Sequence, residues 1–271
     1  MVDTGSDIVL VPGLWLDAGS WDAVTPALTA AGHRVHPLTM PGVGVPATAS
    51  ADIGIDDWVD AVVERIDDIG APVVLVGHSG GGNVAFGAAD RRPDRVARLV
   101  YVDTVPPPDG QGISEFPSVD GVVPFPGWDF FDEEDVFDLD AETRERVARG
   151  ALSVPLRVPT DPLRLRDERR FDIPATMLSG AQDEAGVRAM LAPWPTSHEN
   201  AERLRSLEAV RLRPRPRPQF SRPQSLSAAL RTVAPGPSPM PRPPPPALPA
   251  PATYPASSAA RLASPPATLS P

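Results

Sequence analysis

One stretch of the sequence indicates the fold: Pro72-Val73-Val74-Leu75-Val76-Gly77-His78-Ser79-Gly80-Gly81. It begins with an apolar, β-branched run typical of a buried strand, and a helical pattern follows from Gly80 to about Asp90. The G-x-S-x-G motif between them is typical of a serine held on a strained strand-to-helix turn, where flanking glycines avoid a Cβ clash. A phosphate-binding turn fits less well, because neither G-x-G-x-x-G nor G-K-[ST] spacing occurs at this turn. We therefore predict that Ser79 is a nucleophile.

Outward from this stretch, apolar runs alternate with helical patterns, the first of them a helix predicted from a cap at Ser20 to about Ala31. Because the runs are apolar throughout, they predict strands that are covered on both faces. Strand–helix alternation of this kind predicts an α/β fold with a doubly wound, mostly parallel sheet. The six predicted strands are Ile8–Val11, Arg34–Leu38, Pro72–Val76, Leu99–Asp103, Ala175–Leu178 and Glu208–Leu212.

A long insertion separates the fourth and fifth predicted strands, over about residues 105–172. Insertions of this length in an otherwise regular domain are commonly functional, and we predict a lid over a site. The aromatic residues of the insertion either line an apolar pocket or only anchor the lid on the sheet. They are Phe116, Phe125, Trp128, Phe130 and Phe131.

The composition changes abruptly near the last predicted strand. All 35 acidic residues precede residue 211, whereas residues 211–271 carry eight Arg, no acid and nearly half of the 37 Pro. Such a segment lacks the apolar surface needed to offset its ordering entropy. We predict one domain over residues 1–233, ending in a docked helix from Gln224 to Val233. Residues 234–271 are predicted to form a Pro-rich disordered tail, with a ligand for an aromatic groove as the alternative.

Composition also excludes several kinds of chemistry. The chain has no Cys, which excludes disulfides, thiolate metal sites and a cysteine nucleophile. All 25 basic residues are Arg, so Schiff-base chemistry on Lys is excluded. The four His are scattered without carboxylates at ligand spacing, and we expect no metal or other cofactor.

Charge and hydropathy bear on partners and location. The net charge of −10 argues against nucleic acid and anionic membranes as partners. No apolar run reaches the length of about 20 residues that spans a bilayer. The first residues, 1–7, lack the basic region of a secretory signal, and we expect a cytoplasmic protein that acts on a small molecule.

Several motifs in register resemble the α/β-hydrolase superfamily, specifically its small esterase-like members with an alpha/beta hydrolase-1 type domain. They are the nucleophile elbow Gly77–Gly81 and the segments Val9–Trp15, Ser20–Val35, Met40–Gly44 and Thr176–Asp183. The resemblance implies an oxyanion hole formed by the backbone N–H groups of Leu14 and Gly80. The family's usual His-Gly-x turn reads Pro12-Gly13-Leu14 here, a change that leaves both backbone donors in place.

The resemblance also implies a catalytic acid, since serine needs a base that is oriented by a carboxylate. The family places this acid after the fifth strand, where Asp183 stands with Glu184 beside it. Asp103, at the end of the fourth strand, is the alternative position that some members use.

The base is the point at which the sequence departs from the family. The family's His follows the last strand, and Pro216 stands at that position. His78 is expected to point away from its neighbour within the elbow, and the two His that flank the second strand are expected to pack or face solvent. His198 is then the remaining candidate. The other interpretation is that the base is missing, in an impaired hydrolase or through a disturbed reading frame near residue 212.

Two functions follow from these observations. The first is a serine-dependent hydrolase of small carboxylic esters or lactones, in which Ser79 attacks the carbonyl carbon. A serine at the elbow argues against dehalogenase and epoxide-hydrolase chemistry, which use a carboxylate nucleophile. The alternative is a catalytically impaired protein of the same fold that binds a small apolar ligand under the lid.

Overall fold

The computed structural model describes residues 5–133, 136–179, 184–192, 195–212 and 217–234. The strands in these residues are β1 (Asp7–Val11), β2 (Arg34–Pro37), β3 (Val73–His78), β4 (Val96–Val102), β5 (Val122–Val123), β6 (Val154–Pro155), β7 (Ala175–Ser179) and β8 (Leu207–Arg211). Six of them form a parallel sheet in the order β2-β1-β3-β4-β7-β8. The predicted α/β class, with six strands in a parallel sheet, is confirmed.

The described helices flank this sheet or lie in the connection between β4 and β7. They are α1 (Thr25–Ala30), α2 (Ala47–Ser50), α3 (Ile55–Ile69), α4 (Gly80–Arg91), α5 (Ala141–Gly150), α6 (Arg157–Thr160), α7 (Glu184–Leu191), α8 (Pro195–Arg203), α9 (Pro218–Ser221) and α10 (Pro223–Val233). None of these helices is both long enough and apolar enough to cross a membrane.

The central strands β1, β3, β4 and β7 each contribute to two apolar clusters, because successive side chains point to opposite faces. In β1, Val9 and Val11 belong to one cluster, whereas Ile8 and Leu10 belong to the other. Helices α3 and α4 cover the first face, and α1 and α10 cover the second. Coverage on both faces explains why the strands read as continuous apolar runs.

The connection between β4 and β7 contains β5, β6, α5 and α6. Its C-terminal end is fastened to α4 by a buried ion pair, in which Arg170 Nη1 lies 3.0 Å from Asp90 Oδ1. Asp90 also accepts hydrogen bonds from the backbone N–H of Arg166, at 2.9 Å, and of Asp167, at 2.8 Å. Because this buried carboxylate is fully paired, it holds the inserted segment firmly against α4. That the segment works as a lid stays a prediction.

The first helix begins later than predicted. Ser20 lies in a 3-10 turn, Ala18–Trp21, which is capped by Asp17 and not by Ser20. The α-helix starts at Thr25, where Pro26 occupies the first turn and its missing N–H has no intrahelical role. At the other end of the domain, α10 confirms the predicted docked helix. The predicted Pro-rich tail lies outside the described residues from position 235 onward.

Candidate functional site

Ser79 forms the junction between β3 and α4 at the carboxyl edge of the sheet. Its backbone has φ 49° and ψ −127°, a conformation that costs energy for a residue with a side chain. Two hydrogen bonds hold it there: its N–H donates to Val102 O at 3.1 Å, and its carbonyl accepts from Gly82 N–H at 2.8 Å. The side chain is exposed, so the strained turn presents the hydroxyl to solvent above the sheet.

The glycines of the elbow permit close backbone contacts that any side chain would prevent. A Cβ on Gly77 would lie 2.6 Å from Gly82 Cα, and a Cβ on Gly81 would overlap Pro12 O. The G-x-S-x-G spacing therefore has two physical reasons. Gly77 lets α4 pack against the end of β3, and Gly81 lets α4 pack against the turn that follows β1.

The turn after β1 lies directly against Ser79 and Gly80. A Cβ on Gly13 would lie 3.2 Å from Ser79 Cβ, and Leu14 Cγ is 3.1 Å from the position of a Cβ on Gly80. Trp15 follows with φ 66°, within a turn in which Leu16 N–H donates to Gly13 O at 3.3 Å. Among the residues that the structure describes, no acceptor pairs with the N–H of Leu14 or Gly80. The structure thus brings together Ser79, Leu14 and Gly80, three of the predicted site residues.

His78, the neighbour of Ser79, is buried on the inner side of the elbow. Its ring lies edge-on to Trp21, with 6.4 Å between ring centroids, and Gln219 Nε2 lies 3.1 Å from each ring nitrogen. Burial, and secondarily the positive charge of Arg217, lowers the pKa of His78 to about 3. The ring is therefore neutral at neutral pH and has its polar partner beneath the elbow, as expected for a structural residue.

Gln219 is a residue of this site that the sequence analysis did not single out. It lies in α9, shortly after the last strand, and is 1% exposed. One feature of the sequence could have pointed to Gln219: it lies in Pro218-Gln219-Phe220-Ser221, close to the position at which the family carries its catalytic His. Only the tertiary contact with His78 shows that this side chain supports the elbow from below.

Of the two candidate acids, the structure describes the position of Asp103 but not that of Asp183. Asp183 lies outside the described residues, directly after the end of β7. Asp103 stands beside Ser79 at the carboxyl edge, because Ser79 N–H bonds to Val102 O and Asp103 N–H bonds to Leu178 O at 3.1 Å. Its φ of 52° is a second strained backbone conformation of a residue other than glycine at this edge.

His198, the candidate base, lies on α8. Its Nε2 is 3.9 Å from Glu202 Oε1 on the same helix, and the side chain is about one-third exposed. Helix α8 is anchored near the end of β4, since Asn200 Nδ2 donates to Pro107 O at 2.6 Å. Within the described residues, the structure does not bring His198 into contact with Ser79. Pro216, where the family's His is expected, lies outside them.

The aromatic residues of the inserted segment pack around Trp15. Its ring makes edge-on contacts with Phe116, Phe125 and Phe131, at centroid distances of 4.8, 5.7 and 6.0 Å. The Arg217 guanidinium lies over Phe131 at 4.6 Å and joins the C-terminal segment to this cluster. These contacts favour the anchoring interpretation over the pocket-lining one. Within the described ranges, no group of three His, Asp or Glu could hold a metal ion.

Comparisons with known proteins identify the family of the chain. The chain matches the model of the alpha/beta hydrolase family over residues 8–270. It is 36% identical over 114 residues to a carbendazim hydrolyzing esterase of Nocardioides sp. (strain SG-4G), an alignment that covers 40% of this chain and 46% of that protein. The chain spans less than half the length of the first curated relatives that it matches.

A longer match joins the chain to a putative carbamate hydrolase, RutD, of Variovorax paradoxus (strain S110). The two are 30% identical over 221 residues, covering 75% of this chain and 81% of the relative. Among solved structures, an extracellular alpha/beta-hydrolase from a Paenibacillus species superposes with a TM-score of 0.66 and 21% identity, covering 84% of this chain and 99% of that one. The chain belongs to the alpha/beta hydrolase family.

Proposed function

We propose that this protein is a serine-dependent hydrolase of small carboxylic esters or lactones, with Ser79 as its nucleophile. The observation that carries the proposal is the strained, solvent-exposed Ser79 at the carboxyl edge, which lies against the turn that carries Leu14 and directly before Gly80. Relatives described as esterases support the ester class of the substrate.

In the proposed reaction, Ser79 Oγ adds to the carbonyl carbon while its proton passes to a base. The N–H groups of Leu14 and Gly80 hold the negative oxygen of the tetrahedral intermediate. One such donor is typically worth about 3 kcal/mol of transition-state stabilisation. The alcohol then leaves with a proton, and water hydrolyses the acyl-enzyme by the same route.

The proposed acid and base are Asp183 and His198, with Asp103 as the second candidate for the acid. To serve as the base, the His198 ring would have to leave Glu202 and reach Ser79. Asp103 has in its favour that it directly follows the adjacent strand β4, whose Val102 O accepts from Ser79 N–H. Replacing each carboxylate by its amide distinguishes the two, because the true acid orients the base and its loss lowers kcat strongly.

Turnover of p-nitrophenyl butyrate by wild type, Ser79→Ala and His198→Ala tests the nucleophile and the base. We expect Ser79→Ala to lose at least about 10³-fold in kcat, the usual scale for a member of a triad. Ser118→Ala, a substitution at an exposed serine in the inserted segment, is the matched control and should retain wild-type kcat. A comparable loss in His198→Ala supports His198 as the base, and unchanged turnover in that variant removes it from the mechanism.

A second candidate function is binding of a small apolar ligand without catalysis. The observation that favours it is the lack of contact between His198 and Ser79 within the described residues. An alkyl phosphonate distinguishes the two functions, since a working nucleophile is labelled at Ser79 and a pure binding protein is not. A wild-type protein that neither labels nor turns over ester contradicts the hydrolase proposal.

A further inference from the structure

Ile113, in the segment between β4 and β7, covers the start of α4 beside the candidate nucleophile. Its Cδ1 and Cγ2 lie 3.3 and 3.4 Å from the position that a Cβ on Gly80 would take. Leu14 Cγ approaches the same position to 3.1 Å. Because Gly80 directly follows Ser79, these two aliphatic side chains form a wall at the residue next to the proposed nucleophile.

Backbone contacts fix the position of Ile113. Its N–H donates to Pro159 O in α6 at 2.8 Å, and the N–H of Ser114 donates to the same oxygen at 3.2 Å. A Cβ on Gly112 would lie 2.7 Å from Pro159 O, so the chain passes α6 closely at this point. Two further hydrogen bonds attach the preceding residues: Gly110 N–H donates to Leu163 O, and Leu163 N–H donates to Gln111 O. Ile113 is therefore presented by a well-bonded segment.

Three aromatic residues of the same segment, Phe116, Phe125 and Phe131, pack edge-on against Trp15. At Gly80, next to the proposed nucleophile, the nearest side chains are those of Leu14 and Ile113.

The wall constrains the substrate through the geometry of ester addition. The carbonyl carbon must reach Ser79 Oγ while its oxygen points to the N–H groups of Leu14 and Gly80. One of the two groups attached to that carbon then passes along Leu14 and Ile113. A β-branched side chain held at this place leaves little room, and the wall offers this group no polar partner.

We propose that Ile113 is a specificity-determining residue that limits the group beside the scissile carbonyl to a short, apolar one. The proposal rests on the function proposed above, since it places the carbonyl at Ser79. It names the substrate class more narrowly: esters with a compact aliphatic group, in preference to long-chain or polar ones.

The test compares kcat/KM for p-nitrophenyl acetate, butyrate and octanoate among wild type, Ile113→Ala and Ile113→Trp. We expect wild type to discriminate against octanoate, and Ile113→Ala to raise the octanoate-to-acetate ratio about tenfold or more, the scale on which a few methylene groups are distinguished. Ile113→Trp should lower the butyrate-to-acetate ratio by a similar factor. The control is Ile69→Ala, another partly buried isoleucine at the end of α3, which leads into the amino end of β3. Its ratios should match those of wild type.

A binding measurement separates failure of this proposal from failure of the catalytic one. Calorimetric affinities for butanoate and octanoate are compared between Ser79→Ala and the double variant Ser79→Ala/Ile113→Ala. If wild type shows no turnover but the double variant gains affinity for octanoate selectively, Ile113 limits size and the catalytic proposal is wrong. If turnover is present and Ile113→Ala shifts the chain-length ratio no more than Ile69→Ala, the Ile113 proposal is overturned. If wild type shows no turnover and the double variant shows no selective gain in affinity for octanoate, both proposals are overturned.

Discussion

His78 shows how burial of one ring ties the stability of the elbow to pH. Its pKa in the folded protein is about 3, chiefly because burial disfavours the charged imidazolium, whereas an exposed His titrates near 6.5. Below pH 6.5 the unfolded chain therefore takes up a proton that the folded protein excludes. The contribution of His78 to stability is fully present above that pH and is lost as the pH falls towards 3.

We predict that the free energy of unfolding falls below pH 6.5 by up to about 1.4 kcal/mol per pH unit on account of His78. Urea unfolding of wild type and His78→Phe at pH 7, 6, 5 and 4 measures this dependence. Carboxylates titrate in both proteins, so the difference between the two slopes isolates His78. Equal slopes in the two proteins would contradict the prediction.

Ser79, Asp103 and Trp15 share a further feature at the residue scale. All three have positive φ without being glycine, and all three lie at or next to the carboxyl edge of the sheet. Strained backbone of this kind persists only where surrounding contacts enforce it, and it concentrates at functional sites. The G-x-S-x-G spacing predicted the strain at Ser79. Nothing in the sequence near Asp103 or Trp15 indicates it, because it results from contacts with distant segments.

At the scale of elements, the site depends on how closely α4 approaches the turn after β1. A Cβ on Gly81 would overlap Pro12 O and lie 2.8 Å from Val11 O, both of which are backbone atoms that cannot rotate away. We predict that Gly81→Ala destabilises the protein by about 1–3 kcal/mol, the usual cost of overpacking. It should also lower turnover strongly, because moving the turn shifts the N–H of Leu14.

The matched control is Gly150→Ala at the end of α5. Within the described residues, a Cβ at that position would meet nothing within 4 Å beyond its chain neighbours and its own helix backbone, and alanine favours a helix over glycine by up to about 1 kcal/mol. Its urea midpoint should equal or slightly exceed that of wild type, with unchanged kcat/KM. Equal behaviour of the two alanine variants would show that close approach at Gly81 is unimportant.

At the scale of the whole molecule, the last described helix completes the second core. Leu226, Leu230 and Val233 of α10 are buried in the same apolar cluster as Trp21 and Leu28. Helix α10 thus presents its apolar face to the surface formed by the chain's N-terminal elements, and it closes the second core.

We predict that deleting residues 235–271 leaves the melting temperature and the kcat/KM of the protein unchanged, because α10 already closes the core. Deleting residues 217–271 instead removes α10 and the Gln219 contact with His78, and this variant should unfold or melt far lower. Thermal melts followed by circular dichroism, together with butyrate turnover, measure both effects. A large loss of stability in the shorter deletion would mean that the Pro-rich segment belongs to the folded domain.

The sequence by itself determined the fold class and the turn that carries Ser79. The central strands β1 and β3 are buried on both faces, which makes them continuous apolar runs, and the elbow needs its glycines at fixed spacing. Both requirements are local and are visible in the chain. The strand from Pro72 and the turn at Ser79 were predictable for this reason. The start of α1 was not, because the helix begins at Thr25 after Val24, whose side chain makes no capping hydrogen bond, while the cap residue Asp17 serves the preceding 3-10 turn.

Only the tertiary structure decided how distant segments meet at the carboxyl edge. The contact of Gln219 with His78 joins residues 141 positions apart, and Ile113 reaches Gly80 from a different part of the chain. No local pattern encodes such contacts, since they depend on how loops fold back over the sheet. The same physical reason explains why the anchoring role of the aromatic residues was left open by the sequence. Their partner, Trp15, lies far from them in sequence, on the turn that follows β1.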